Sequence, residues 1–251
     1  MKKAVIISIC CMTLMSSCNL KETFNFGPKT TITESGNIVT KTFGVNEVEK
    51  LEITHGIEAI FVQKEGQPAV KVTAADNVIA HMKIENDGDK LTVGFNDKVN
   101  VRYKKLDVVI TSPKLESIYI AGAGKVVFSD GLKTRKLSCG IAGSGDIRGM
   151  DIECEKLEAS ISGSGNIMLA NVNSQNVETS INGSGDISIS GKTEKVKYSI
   201  AGAGNIWAKA LYAKYADISI AGSGDIECNV SELKKSVAGI GNIKNFAIEK
   251  H

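Results

Sequence analysis

The sequence predicts an all-β protein whose main part is a single-stranded parallel β-helix, a solenoid with coils of about 20 residues. Three observations predict this fold. A glycine motif recurs at a nearly constant interval, apolar and polar residues alternate on both sides of each copy, and the chain has 25 Gly against 3 Pro. A unit this short cannot bury its apolar face alone, so successive units must stack on one another. Crossover chirality predicts the right-handed form.

The motif consists of Ile or Val, any residue, Gly, any residue, Gly, a polar residue, and then Ile or Val. Its seven copies span residues 120–126, 141–147, 161–167, 181–187, 200–206, 220–226 and 237–243. Their first glycines are 21, 20, 20, 19, 20 and 17 residues apart, which is a period typical of solenoids. A phosphate-binding Gly-x-Gly loop occurs once and opens a helix, whereas each copy here leads into another strand-like run. The repetition therefore argues against a nucleotide site.

Each motif lies between two strand-like runs. Leu157, Ala159 and Ile161 alternate with polar residues before one copy, and Ile167 and Leu169 resume the alternation after it. Apolar side chains at every second position predict a strand with one buried face. Each coil is therefore a strand, a glycine corner, a second strand and a variable turn. Equivalent strands should pair in parallel, with the glycines either at positive φ or allowing corners to stack closely.

Residues 1–17 have the pattern of a signal peptide. Lys2 and Lys3 precede an apolar run at 4–14, and small residues then lead to Cys18. This pattern is similar to a bacterial lipoprotein signal, in which cleavage exposes the cysteine for lipid attachment. The alternative is an ordinary secretory signal with a coincidental cysteine. We expect an exported cell-envelope protein, an outer-membrane lipoprotein that faces the periplasm or the surface, held by lipid on Cys18 with residues 18–27 as a tether.

Charge and cysteine content narrow the function further. Removing Lys2 and Lys3 from the 30 Lys+Arg leaves 28, which equals the 28 Asp+Glu. Without a basic surplus, nucleic acid is not an expected partner.

Cys139, Cys154 and Cys228 remain after lipidation, and the repeat register puts them in different columns of the stack. They are expected to be buried free thiols.

Residues 28–115 lack the repeat and read as an all-β lead-in, followed by the glycine-cornered β-helix at 116–251. Strand-like runs occur at 37–43, 51–54, 57–63, 69–73, 91–95 and 106–111, and Asn86-Asp-Gly-Asp89 predicts a hairpin turn. A bare parallel edge would aggregate. The lead-in is therefore expected to cap one end of the solenoid.

The order of segments resembles a known family. Val-Glu-Lys-Leu at 48–51, Val-Lys-Val-Thr-Ala at 70–74, Lys-Leu-Thr-Val at 90–93 and Ser-Pro-Lys-Leu-Glu at 112–116 precede the repeated Gly-Ser-Gly-Asp/Asn-Ile. Over about residues 45–245 this is similar to the auto-transporter adhesin family called the head GIN domain. The resemblance implies one continuous exported β-helix with an adhesive role and no catalytic residues. Auto-transporters are held by a membrane β-barrel, whereas this sequence ends at His251, so lipid on Cys18 is the expected anchor.

The residue after the second glycine forms a polar column along the predicted stack. After Lys125 it alternates between carboxylate and amide: Asp146, Asn166, Asp186, Asn205, Asp225 and Asn242. Stacked carboxylates would repel, whereas an intervening Asn can donate and accept hydrogen bonds, which predicts a structural ladder. The alternative is that oxygens of adjacent rungs bind Ca²⁺. Apart from that possibility, no cofactor is expected.

The sequence also offers aromatic residues for binding. Trp207, the only tryptophan, lies between inward Ile206 and Ala208, so the alternation points it outward, and Tyr212 and Tyr215 follow in the turn of the same repeat. Such rings could stack on a sugar or anchor a protein partner. The alternative is that they pack against the turn or against a neighbouring subunit in a homo-oligomer.

These observations favour a non-enzymatic envelope protein whose rigid β-helix presents a surface for glycan or protein ligands. Two alternatives stay open. One is a polysaccharide-active enzyme that uses Asp146 and Asp186, which two rungs would separate by about 9.6 Å, near the spacing of inverting glycosidases. The other is a purely structural or oligomer-forming envelope protein.

Overall fold

The computed structural model describes residues 29–247 and is almost entirely β. The one helix of this range is α1 (Asp76–Ile79). The strands are β1 (Thr30–Thr33), β2 (Ile38–Gly44), β3 (Lys50–His55), β4 (Glu58–Gln63), β5 (Ala69–Ala75), β6 (Met82–Asp87), β7 (Lys90–Phe95), β8 (Val99–Arg102), β9 (Leu106–Ser112), β10 (Ser117–Gly122), β11 (Lys125–Phe128), β12 (Leu132–Lys133), β13 (Lys136–Gly143), β14 (Asp146–Gly163), β15 (Asn166–Gly183), β16 (Asp186–Lys192), β17 (Lys195–Gly202), β18 (Asn205–Gly222), β19 (Ile226–Gly239) and β20 (Ile243–Asn245). The predicted signal peptide, Cys18 and the tether lie outside the described residues.

The predicted parallel solenoid is confirmed and has about six turns. Strands β13, β14 and β15 pair in parallel with a register offset of 20 residues, so that Ile141, Ile161 and Ile181 lie directly above one another. Strands β14, β15 and β18 each run for 18 residues from one corner to the next. Their side chains alternate between buried and exposed, and the buried set fills the interior with one continuous apolar core.

The two glycines of each corner are needed for different reasons. Gly143, a first glycine, has φ = +130°, a conformation that side chains disfavour, and a Cβ there would also collide with the carbonyl of Gly122. Gly145, a second glycine, does not have positive φ, but a Cβ would lie 2.6 Å from the carbonyl oxygen of Gly124 one coil below. The corner stacks backbone directly on backbone, and neither position leaves room for a side chain.

The lead-in does more than cover the solenoid, because two of its strand pairs continue the stack. Strands β3 and β4 pair in parallel with β10 and β11, and on their other side they pair in parallel with β7 and β9. His55 takes the place of a first glycine opposite Gly122 and has φ = +63°. Residues 55 and 122 are 67 positions apart (122 − 55 = 67), which is not the repeat period of about 20. The periodicity of the sequence therefore did not show this corner.

On the far side of β7 and β9 the strand pairing becomes antiparallel, and these strands close the N-terminal end of the solenoid. Strand β5 pairs antiparallel with β2 and with β9, and β6 pairs antiparallel with β7. Asp87 lies opposite Lys90, so the hairpin predicted at 86–89 is confirmed. Strands β1 and β8 form a separate two-stranded parallel sheet that the sequence analysis did not predict. No helix in residues 29–247 is long and apolar enough to cross a membrane.

The three cysteines of the described chain are buried and free, as predicted. Cys139 lies among apolar side chains of the core, and burial raises the pKa of its thiol to about 12. Burial likewise raises the pKa of Cys228 to about 11. Such thiols stay protonated at neutral pH and are poor nucleophiles. Their role is to fill the core.

The corner geometry predicts that Gly183→Ala destabilises the protein by roughly 2 to 4 kcal/mol, because Gly183 has φ = +140° and a Cβ would meet the carbonyl of Gly163. Gly44→Ala is the matched control, since nothing lies within 4 Å of a Cβ there. Urea unfolding of both variants measures the difference. Equal stability of the two variants would contradict the stacking account.

Candidate functional site

The polar column along the corners is a hydrogen-bonded ladder. Asn166 Nδ2 donates to Asp146 Oδ1 over 3.0 Å. One step of the ladder is doubled, because the backbone N–H and Nδ2 of Asn205 both donate to Asp186 Oδ1, at 3.0 and 2.9 Å. The neutral amides therefore stabilise the carboxylates by hydrogen bonding and keep successive carboxylates two coils apart, which limits their repulsion.

The same column also satisfies backbone donors at the C-terminal coils. Asn205 Oδ1 accepts from the backbone N–H of Asp225 over 3.0 Å, and Asp225 Oδ1 accepts from that of Asn242 over 2.9 Å. At the lower end Arg148 Nη2 lies 3.6 Å from Asp146 Oδ2. Within the described range no three His, Cys, Asp or Glu side chains are grouped as a metal centre would need. The calcium alternative stays a prediction that these contacts do not require.

The three aromatic residues singled out from the sequence are exposed. The exposed fractions are 40% for Trp207, 50% for Tyr212 and 45% for Tyr215. Two consecutive exposed residues, at 209–210 and again at 214–215, mark corners of this coil. Trp207 therefore lies before the first of these corners, Tyr212 between the two, and Tyr215 at the second. The structure places the rings on successive sides of one coil, and none stacks on another.

Each aromatic residue has different neighbours in the adjacent coils. Trp207 lies beside Ser188 and Glu227. Tyr212 lies beside Lys192 and Asn229, and its hydroxyl is 3.3 Å from Ser231 Oγ.

Tyr215 lies beside Lys195 and Glu232. The sequence analysis missed Lys192 and Lys195, although adding the repeat period of 20 to their numbers leads to Tyr212 and Tyr215.

Two open grooves lie near the turn between coils. The groove at Tyr215 has a volume of about 410 Å³, with an apolar floor of Val196, Ala216 and Leu233 between charged rims. The other has a volume of about 870 Å³ and is lined by polar residues of the same turn in lower coils, including Glu153 and Gln175. Only the first contains one of the predicted aromatic residues.

The fold and these surfaces define a class of protein, a closed-core parallel β-solenoid whose polar columns and exposed rings are all on the outside. Comparison with known families makes the assignment specific. Residues 47–171 and 151–247 match the family described as "Putative auto-transporter adhesin, head GIN domain". The chain belongs to this family, and the resemblance seen in the sequence is confirmed.

Solved structures agree with the fold. A protein from Bacteroides fragilis described as a putative adhesin is 26% identical, with a TM-score of 0.76 over 86% of this chain and 100% of that one. A putative adhesin from Parabacteroides merdae is 22% identical, with a TM-score of 0.76 over 86% and 99% of the two chains. A Parabacteroides distasonis structure described as a putative lipid binding protein is 23% identical, with a TM-score of 0.79 over 86% and 99%. Comparison with curated proteins finds no match.

The ladder predicts that Asn205→Asp lowers stability by roughly 1 to 2 kcal/mol at pH 7, because it removes the Nδ2 donor and places a third carboxylate between Asp186 and Asp225. Asn182→Asp is the control, since its column neighbours are Ser162 and Ala201. Thermal unfolding of both variants at pH 7 measures the effect, and equal losses in the two would contradict the ladder.

Calorimetric titration with CaCl₂ separates the ladder from the calcium alternative. The ladder account expects no saturable heat and no rise in melting temperature for the wild-type protein. Saturable binding that Asp186→Asn abolishes would establish a calcium site instead.

Proposed function

We propose that this protein is a non-enzymatic adhesin of the cell envelope that binds glycan or protein ligands through the outer surface of its solenoid. The observation that carries the proposal is the exposure of Trp207, Tyr212 and Tyr215 on a single coil. Large rings left 40 to 50% exposed on a rigid sheet can bury apolar area on a ligand without first ordering a loop. Family membership supports the adhesive role.

A rigid surface suits this function because little conformational entropy is lost on binding. Each coil is fixed to the next by ladders of backbone hydrogen bonds, and the core beneath the aromatic coil is fully buried at Ile206, Ala208 and Leu211. The rings therefore project from fixed backbone. Binding through such a surface needs no deep pocket.

The contacts of the column argue for a non-enzymatic role. Asp146 and Asp186 lie two coils apart with Asn166 between them, and each accepts a hydrogen bond from an Asn amide one coil above. Glycoside hydrolysis needs one carboxyl group kept as an acid and another as a base, which requires unlike surroundings. Asp146 has Asn166 and Arg148 as partners and Asp186 has two N–H donors of Asn205, so nothing around either carboxylate marks it as the acid of such a pair, and we do not assign them a catalytic role.

We further propose export through the signal at 1–17 and anchoring by lipid on Cys18 in the outer membrane. A lipid at this position would hold the protein by its N-terminal side, next to the antiparallel cap formed by β2, β5 and β6. The aromatic coil lies toward the opposite, C-terminal end of the stack. This arrangement would present the rings away from the membrane.

The binding proposal is tested with a soluble chain of residues 19–251 and a panel of glycans and extracellular-matrix proteins. Saturable binding is expected without turnover of the ligand, and Trp207→Ala should weaken it roughly tenfold or more. Tyr119→Ala is the matched control, because Tyr119 is 42% exposed but lies on another coil. Binding that both variants retain would rule out the aromatic surface, and turnover would favour the enzyme.

The anchor is tested separately by growing expressing cells with a labelled fatty acid. The wild-type protein should carry the label and fractionate with membranes, and Cys18→Ser should do neither. Label that persists in Cys18→Ser would contradict the lipoprotein proposal.

A further inference from the structure

Charge is unevenly distributed along the solenoid. Residues 195–214, a stretch one coil long that carries Trp207 and Tyr212 and ends just before Tyr215, contain four Lys and no Asp or Glu. The preceding coil, 176–194, contains three acidic residues and one Lys, which gives 1 − 3 = −2, and the following residues 215–231 contain three acidic residues and no Lys. A basic coil therefore lies between two acidic ones, although the mature chain is close to neutral overall.

Most of these positive charges have a carboxylate or an aromatic ring beside them. Lys214 Nζ lies 3.5 Å from Glu194 Oε1, and Lys209 Nζ lies 4.2 Å from the centre of the Phe246 ring. In the described chain Lys197 has no carboxylate within 4.0 Å of its ammonium group, but it lies between Glu178 and Asp217, its strand neighbours in the adjacent coils, whose charges offset its own. These interactions leave Lys195 of this coil, together with Lys192 of the coil below.

Lys192 and Lys195 are exposed, and in the described chain neither has a carboxylate within 4.0 Å of its ammonium group. Lysines at the position equivalent to Lys195 in other coils do have carboxylate partners. Lys136 and Lys156 occupy the position of Lys195 in lower coils, and both pair with Glu158, at 2.9 and 2.8 Å. The residue equivalent to Glu158 in the coil of Lys195 is itself a lysine, at position 197, so the partner is missing.

Each of these two lysines lies beside one of the exposed tyrosines. The strand register pairs Lys192 with Tyr212 and Lys195 with Tyr215, at the separation of adjacent strands, about 4.8 Å. The two pairs lie on either side of the turn at Thr193 and Glu194, and the charge of Glu194 is offset by Lys214. The turn thus presents an ammonium group and an aromatic ring twice, once on each side.

We infer that this turn binds acidic glycans, with sugar rings stacked on Tyr215 and Tyr212 and their anionic groups on Lys195 and Lys192. The inference rests on the proposed function and names its ligand class. The groove of about 410 Å³ at Tyr215 supplies the apolar floor that the face of a sugar ring needs. Lys195 on its rim supplies the charge that selects an acidic sugar over a neutral one.

The other charges of the groove fix where the anion binds. Lys234 Nζ lies 3.7 Å from Asp217 Oδ2, so these two charges largely offset each other. Glu232, next to Tyr215 in its column, has no ammonium group within 4.0 Å in the described structure. It would repel an anion, so the anionic group binds on the Lys195 side of the ring.

The test uses the soluble chain of residues 19–251 with three probes of similar length: an oligogalacturonate, a sulfated oligosaccharide and a neutral galactan oligosaccharide. We expect at least tenfold tighter binding of one or both acidic probes than of the neutral one, and weaker binding as NaCl increases. The two acidic probes distinguish carboxylate from sulfate as the recognised group.

Three variants locate the site. The double variant Lys192→Gln/Lys195→Gln should weaken acidic-probe binding at least tenfold, and Glu232→Gln should strengthen it. Lys136→Gln, which makes the same change at an equivalent but ion-paired position, should leave it unchanged. Thermal unfolding of each variant checks that the fold is intact.

Equal affinity for neutral and acidic probes, or binding that the double variant retains, would overturn the inference. Binding of neutral glycans or proteins that depends on Trp207 would at the same time uphold the proposed adhesive function. Failure to bind any probe or any member of the glycan and protein panel would reject both.

Discussion

The structure depends on one constraint, the direct stacking of backbone on backbone at the glycine corners. At each corner the carbonyl oxygen of the first glycine accepts a hydrogen bond from a backbone N–H of the next coil. Ser144, which follows the first glycine of its own coil, donates its N–H to the carbonyl of Gly122 over 2.9 Å in this way. That approach leaves no space for a Cβ on either glycine. Because the contact fixes one coil against the next, it also fixes the register of both strands that leave the corner.

Because the register is fixed, equivalent residues of successive coils lie beside one another in columns, and one exchange changes the contacts of its column neighbours. The Asp/Asn column forms a ladder because equivalent positions lie one above another. Lys195 becomes unpaired for the same reason, since position 197 holds Lys where the coils below hold Glu. The fold tolerates such exchanges because outward side chains carry little of the core packing. A binding surface can therefore arise on one coil without changing the scaffold.

The repeat made the solenoid predictable, because Gly-x-Gly at a period of about 20 has no equally good explanation in another fold. The corner at His55 was not predictable, since it lacks the glycine pair and the chain makes a long excursion before it returns to the stack. The ladder contacts followed from the alternation of Asp and Asn. The pairing of Lys192 and Lys195 with the tyrosines was available from the register, but their lack of carboxylate partners needed side-chain positions.

Amide hydrogen exchange of the corner residues tests the central claim most directly. The amides of Ser144, Ser164 and Ser184 lie in surface corners, yet each donates to a first-glycine carbonyl at 2.9 Å. The account predicts that they exchange as slowly as amides within the flanking strands. Exchange as fast as in the exposed turn at Gly66 would show that the corners are ordinary loops, and would contradict the account.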